Sequence, residues 1–265
     1  MRHGYVRSSK GDFTTFDAPG AGTGAGQGTR AYSINPAGTI AGYAQDASDV
    51  VHGFLRAPDG TITGFDPTGA LFTFPLAINP AGAITGQYCD GTNCRGFLRA
   101  TDGTMTTFDV SGDVNGTYPY GINPAGAIVG NYIDASDVVH GFLRAPDDTI
   151  TTFDAPGAGT VTDSGQGTTP YGINPAGAIV GYYIDASNVY HGFLRARDGN
   201  FTTFDAPGAG NATDSYQGTL PTADNPSGKI TGSYVDPGNL QHGFLRTPKI
   251  RRRLTGLRHR HSSRW

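Results

Sequence analysis

Five histidines stand at matching places along this 265-residue chain: His3, His52, His140, His191 and His242. Four open the string His-Gly-Phe-Leu-Arg, His3 opens His-Gly-Tyr-Val-Arg, and Arg95 takes the same place in a further copy. Histidine can act as metal ligand, general base or pH switch. Chemistry normally needs one asymmetric site, however, and a residue present in every copy of a repeat reads as part of the scaffold. Each histidine lies diagonal to the aspartate that ends the next strand, so a His–Asp hydrogen bond is expected in every copy. A second acidic group recurs as Asp46 with Asp49, Asp134 with Asp137, and Asp185 with Asn188. Calcium wants six to eight oxygen ligands. Two carboxylates are a thin supply, and Asx turns are the expected use. All 22 acidic residues are Asp, with no Glu. That removes the commoner general acid of a glycosidase, and the aspartates recur evenly instead of forming one pair. There is no nucleophile elbow, phosphate-binding loop or zinc spacing. No cofactor and no metal is expected.

The elements that carry these residues are a repeat. Ile-Asn-Pro-Ala-Gly begins at Ile34, Ile78, Ile122 and Ile173, and a variant Asp-Asn-Pro-Ser-Gly begins at Asp224. The asparagines are spaced by 44, 44, 51 and 51 residues. Each unit holds four short strand candidates with turn residues between them. Asn-Pro-Ala-Gly fits a type I turn with Asn first, Pro second and Gly last. Asp-Gly between the last two strands is read as a two-residue hairpin turn. That turn would set Phe54 opposite Phe65, Phe97 opposite Phe108, Phe142 opposite Phe153, Phe193 opposite Phe204 and Tyr5 opposite Phe16. Four-stranded antiparallel units of this length are the signature of β-propeller blades. The expected fold is therefore all-β: five blades of four antiparallel strands over residues 1–247. The C-terminal unit lacks its fourth strand and the N-terminus supplies a spare one. The ring is thus expected to close by pairing Asp12–Asp17 with His242–Arg246.

The units resemble an extracellular repeat family of bacterial secreted proteins, named for its His-Ala-Phe motif. The resemblance rests on His52-Gly53-Phe54, His140-Gly141-Phe142, His191-Gly192-Phe193 and His242-Gly243-Phe244, each following a turn of the Asn-Pro-Ala-Gly kind. It covers residues 3–247, with Gly in place of the middle Ala throughout. It implies an extracellular, propeller-like protein and supplies no catalytic residues.

Composition agrees with strands and loops. The chain has 41 Gly, 17 Pro, 14 Phe and 13 Tyr; Gly-rich, Glu-free sequence forms helices poorly. No apolar run is long enough to span a membrane as a helix. Residues 1–247 carry 12 basic and 22 acidic side chains, whereas 248–265 carry basic ones only, Lys249 and six Arg. This basic tail is read as a solvated terminus rather than a nucleic-acid contact. Cys89 and Cys94 flank a short loop between facing strand positions, within reach of a disulfide. A disulfide implies an oxidising, extracellular or cell-surface setting, although no signal peptide is visible before the first repeat strand. The connectors between blades are the variable parts, and variable loops carry function. Gln27, Tyr118, Tyr120, Asp163, Gln166, Tyr171, Asp214, Tyr216 and Gln217 lie in or beside them as a candidate ligand rim. The resulting expectation is a secreted, monomeric, non-enzymatic binding module for carbohydrate or protein. The alternatives are an Asp-only glycan-cleaving enzyme and a structural segment of a larger surface protein.

Overall fold

The computed structural model describes residues 1–248. The basic tail therefore lies outside the described residues from 249 onward. Every described element is a strand. A hairpin of β1 (Gly4–Arg7) and β2 (Phe13–Phe16) comes first. The first unit is β3 (Gly28–Ile34), β4 (Ile40–Gln45), β5 (Val51–Arg56) and β6 (Ile62–Phe65). The second is β7 (Phe72–Ile78), β8 (Ile84–Cys89), β9 (Cys94–Arg99) and β10 (Met105–Phe108). The third is β11 (Thr117–Ile122), β12 (Ile128–Ile133), β13 (Val139–Arg144) and β14 (Ile150–Phe153). The fourth is β15 (Gly167–Ile173), β16 (Ile179–Ile184), β17 (Tyr190–Arg195) and β18 (Phe201–Phe204). The fifth has three strands, β19 (Gly218–Asp224), β20 (Ile230–Val235) and β21 (Gln241–Arg246). Within each unit neighbouring strands pair antiparallel. The first strands of successive units touch one another, which puts them on the inside of the curve.

The turn chemistry follows the sequence at one end and departs from it at the other. Gly38 N–H donates to the Asn35 carbonyl, as expected for Asn-Pro-Ala-Gly. The third-to-fourth-strand turn is one residue longer than expected. Ala57 N–H donates to the Thr61 carbonyl, and Gly60 N–H donates to that of Ala57. Gly60 sits at φ 96°. This is a three-residue loop with glycine in the left-handed position, a type I turn closed by a bulge. The extra residue slips every hairpin by one. Phe54 faces Gly64 and Gly53 faces Phe65. The same shift sets Gly96 opposite Phe108, Gly141 opposite Phe153, Gly192 opposite Phe204 and Gly4 opposite Phe16. The glycine is needed there: a Cβ on Gly96 would lie 2.7 Å from the Phe108 ring.

The aromatic pairs form instead between units. Phe16 meets Phe54, Phe65 meets Phe97, Phe108 meets Phe142, Phe153 meets Phe193, and Phe204 meets Phe244. All five are edge-on, with centroids 6.0 to 6.4 Å apart. The arginine two places beyond each third-strand phenylalanine covers the same fourth-strand ring: Arg56 over Phe16, Arg99 over Phe65, Arg144 over Phe108, Arg195 over Phe153 and Arg246 over Phe204. Phe97, Phe142 and Phe193 are fully buried as a result.

The expected ring-closing pair is not formed. β2 pairs with β1, and β21 pairs with β20 alone among the described strands. The N-terminal hairpin keeps its own tight turn and docks on the first unit through Phe16, in the way each unit docks on the next. Cys89 and Cys94 are joined by a disulfide and face each other at the end of the β8–β9 pair.

Two outcomes follow. Phe142→Ala should lower unfolding free energy by about 3–5 kcal/mol, the usual cost of emptying a buried aromatic site. Denaturant titration measures this, and a loss below about 1 kcal/mol would mean that the junctions do not carry stability. Replacing both cysteines by serine should cost less than the roughly 3 kcal/mol typical of a 15-residue loop, because the closed loop is short. Protein made in an oxidising compartment should show no alkylatable thiol by mass spectrometry without reductant.

Candidate functional site

Each first strand contains a break in register at one residue. The pairing skips from Pro75 to Ala77, Pro119 to Gly121, Pro170 to Gly172, Pro221 to Ala223 and Ala31 to Ser33. The residues left out are Leu76, Tyr120, Tyr171, Thr222 and Tyr32. A bulge of this kind re-aims one side chain, and bulges concentrate beside binding sites. Proline in the preceding place offers no N–H to the ladder, which suits an interrupted strand. Five side chains are thereby singled out on the inner strands, one per unit, and their identities differ. The repeat varies here while its scaffold positions stay fixed.

Three of the five are tyrosines. Tyr120 and Tyr171 stack with centroids 4.8 Å apart. The stack continues to Tyr182 at 5.8 Å, from Tyr182 to Tyr190 at 5.1 Å, and from Tyr190 to Tyr216 at 6.1 Å. The result is one aromatic strip across the third and fourth units and the connector after them. Burial pushes the Tyr120 hydroxyl up and the Tyr182 hydroxyl up to about 12, so both remain neutral donors at physiological pH. Burial also raises Tyr171, and the Tyr32 phenol of the first unit adds to the rise. A second aromatic group lies at the first unit, where Tyr32, Tyr43 and Phe74 pack in series and Arg30 stacks on Tyr43. Asn131, buried beside Tyr120, donates to the Thr169 hydroxyl at 3.2 Å, while its Oδ1 has no hydrogen-bond partner. Flat apolar rings with neutral hydroxyl donors and a spare amide oxygen suit the face of a pyranose ring and its hydroxyls.

The nine rim residues expected from sequence divide. Tyr120, Tyr171 and Tyr216 join the strip. Gln27, Gln166 and Gln217 are staples: their Nε2 groups donate to Asp49, Asn188 and Asn239, fixing each connector to the following second-to-third-strand loop. Gln166 and Gln217 are only 2% and 3% exposed. Tyr118 donates to the Asn115 carbonyl and folds over Gly116. Asp214 accepts from Asn188, and Asp163 is placed by its own N–H on the Ser136 carbonyl. Tyr182 and Tyr190 were missed because they lie on repeated strands. The available signal was variation: the place after the second-strand glycine reads Tyr43, Gln87, Asn131, Tyr182 and Ser233.

The histidines are clamped as expected. Nδ1 of His3, His52, His140 and His191 bonds Asp17, Asp66, Asp154 and Asp205. A second carboxylate holds Nε2: Asp46 for His52, Asp134 for His140, Asp185 for His191 and Asp236 for His242. Arg95 bridges Asp90 and Asp109 in the same way, at 3.1 and 3.2 Å. The loop aspartates make the expected Asx turns, with Asp46 accepting from the Ser48 and Val50 N–H groups. Among the described residues no group of three or more acidic, histidine or cysteine side chains is arranged to hold a metal ion.

No family model matches the chain, and no curated protein does. Solved structures do. Virginiamycin B lyase from Staphylococcus aureus superposes with a TM-score of 0.55 at 13% identity, over 92% of this chain and 78% of that one. A catalytically inactive form of the enzyme, with quinupristin, gives 0.50 at 14% identity, over 84% and 72%. The fold is propeller-like. Identity this low carries the fold and nothing of the lyase chemistry.

The clamps set a pH dependence. His52 and His191 are raised above their ordinary value chiefly by the hydrogen bonds to Asp66 and Asp205. For His140, burial opposes protonation, but Asp154 outweighs it and the net shift is upward. A raised folded value means that the contribution is complete below the unfolded value, about 6.5, and is lost as pH climbs through the folded one. The melting temperature should therefore fall from pH 6 to pH 9. The triple variant His52→Gln, His140→Gln, His191→Gln should show a flatter profile; an identical slope would assign the dependence elsewhere.

Proposed function

We propose that this protein is a secreted, non-enzymatic binding propeller that holds a carbohydrate against the Tyr120–Tyr171–Tyr182–Tyr190–Tyr216 strip. The observation that carries this reading is the placement of the most variable inner-strand residues on bulges, where three of five are tyrosines. Tyrosine rings present rigid, amphipathic area at low entropic cost, and sugars offer matching C–H faces with hydroxyls at the rim. The disulfide supports the extracellular setting. No helix among the described residues is long and apolar enough to cross a membrane. An Asp-only glycan-cleaving enzyme is disfavoured by the use of the aspartates. Those at the strand ends are engaged by histidine or arginine, and those in the loops accept backbone N–H groups. Neither set forms a pair across an open site, as glycoside hydrolysis needs.

The test is a glycan array followed by calorimetry on the hits. Tyr171→Ala and Tyr182→Ala should each weaken the best ligand by about tenfold or more, as expected of residues at the centre of a contact. Gln166→Ala should lower stability and leave affinity in the folded protein unchanged. Turnover of the bound glycan would replace this reading with the enzymatic one.

A further inference from the structure

The inner edge of β1 is open. In every later unit the third strand is flanked on that side by an antiparallel second strand: β4 beside β5, β8 beside β9, β12 beside β13, β16 beside β17 and β20 beside β21. β1 pairs with β2 alone. A strand edge left this way presents a row of free N–H and C=O groups. The side chains around it are also uncovered. Ile34 is 58% exposed, whereas Ile78 and Ile122, at the same place in the next two units, are 8% and 9% exposed. In the second unit, Ala41 of the preceding second strand belongs to the cluster that buries Ile78. A cleft runs along the vacant position, lined by Tyr5, Val6, Arg7, Tyr32, Ile34 and Ile40. Arg2 and Arg30 line its continuation, and no carboxylate lines either part.

His3 defines the missing piece more narrowly. Its Nδ1 bonds Asp17 like its counterparts, but no second carboxylate approaches its Nε2 among the described residues. Elsewhere that carboxylate is the aspartate following the second strand, as in Asp46 with His52 and Asp185 with His191. The five second strands read Ile-x-Gly-x-x-x-Asp, from Ile40-Ala41-Gly42 to Asp46 through Ile230-Thr231-Gly232 to Asp236. Glycine is required at the third place: a Cβ on Gly42 would lie 2.2 Å from the Arg30 carbonyl oxygen and 2.8 Å from the Phe54 ring.

We infer that the β1 edge accepts, in trans, an extended segment of a partner chain with the pattern Ile-x-Gly-x-x-x-Asp. The segment adds as an antiparallel strand, its glycine opposite Tyr5, its isoleucine opposite Arg7 and its aspartate on His3. This is strand addition, with main-chain bonds supplying affinity and alternate side chains specificity. The cleft continues the series of unit junctions already filled along the chain, and its three arginines suit an acidic strand. The chain's own second strands are each already paired, so none is free to serve.

The test titrates a fluorophore-labelled peptide of the sequence of residues 178–186 into the full chain, by anisotropy, with amide exchange on the complex. Saturable binding is expected, with new protection at Gly4–Arg7. The peptide change Gly181→Val should weaken binding at least tenfold, and Asp185→Asn severalfold, the latter effect vanishing in His3→Ala protein. Ile34→Lys, at an exposed position, should retain the native melting profile and lose the peptide, whereas Tyr171→Ala should bind it normally. Absence of binding, equal binding of a scrambled peptide, or protection at Gln241–Arg246 instead of β1 would overturn the inference. So would self-association of the chain alone that protects Gly4–Arg7, since the edge would then belong to a second copy.

Discussion

A fourth-strand phenylalanine held between the phenylalanine and the arginine of the next unit's third strand is the contact on which the rest of this structure depends. A single unit is a thin sheet and cannot cover its own faces. At each of the five junctions, Phe16, Phe65, Phe108, Phe153 or Phe204 inserts its ring edge-on and receives a guanidinium over its face. Edge-to-face geometry and a cation over the ring both add to simple burial. The one-residue slip in the hairpins makes this arrangement available. With glycine opposite it, the fourth-strand ring can turn away from its own hairpin toward the neighbouring unit.

Polar seams hold the two ends of the units in step. At the Asn-Pro-Ala-Gly end, Asn35 Nδ2 donates to the Asn79 carbonyl, Asn79 to that of Asn123, and Asn123 to that of Asn174. The same asparagines use Oδ1 to close their own turns, as Asn35 does with the Thr39 N–H. At the opposite end, glutamine or asparagine in each connector reaches the next loop. Its acceptor residues, Asp49, Asp137, Asn188 and Asn239, all sit at positive φ, where Asn and Asp are the best tolerated non-glycine residues. These bonds satisfy buried polar groups that would otherwise be costly, and they fix the spacing at which the aromatic junctions meet.

Within that frame, fixed and varied positions divide the labour. The histidine clamps, asparagine turns and glutamine staples repeat because each unit needs them. The bulged residues Tyr32, Leu76, Tyr120, Tyr171 and Thr222 make no ladder pairing, so the scaffold leaves their identity free. Recognition can be built there without disturbing the junctions. The tyrosines that gather are consequently confined to particular units, which gives a symmetric scaffold an asymmetric surface.

The all-β character, the four-strand unit, the Asn-Pro turns, the histidine–aspartate pairing and the Cys89–Cys94 bond were legible in the sequence, because each depends on residues close along the chain or on a recurring pattern. The hairpin register was not, since Asp-Gly serves two-residue and three-residue turns alike, and a shift of one residue reverses every facing pair. The role of Gln166 and Gln217 was hidden because their partners, Asn188 and Asn239, lie in a different loop. The strip from Tyr120 to Tyr216 joins side chains from several strands and a connector, brought together by the curve of successive units. The pairing of the N-terminal strand was decided in the same way. Composition counted one spare fourth strand and one vacancy, but the short β1–β2 turn makes the local partner cheaper in loop entropy than a partner at the far end of the chain. Local pattern determined the unit; packing between units decided which edges stayed open and which side chains met.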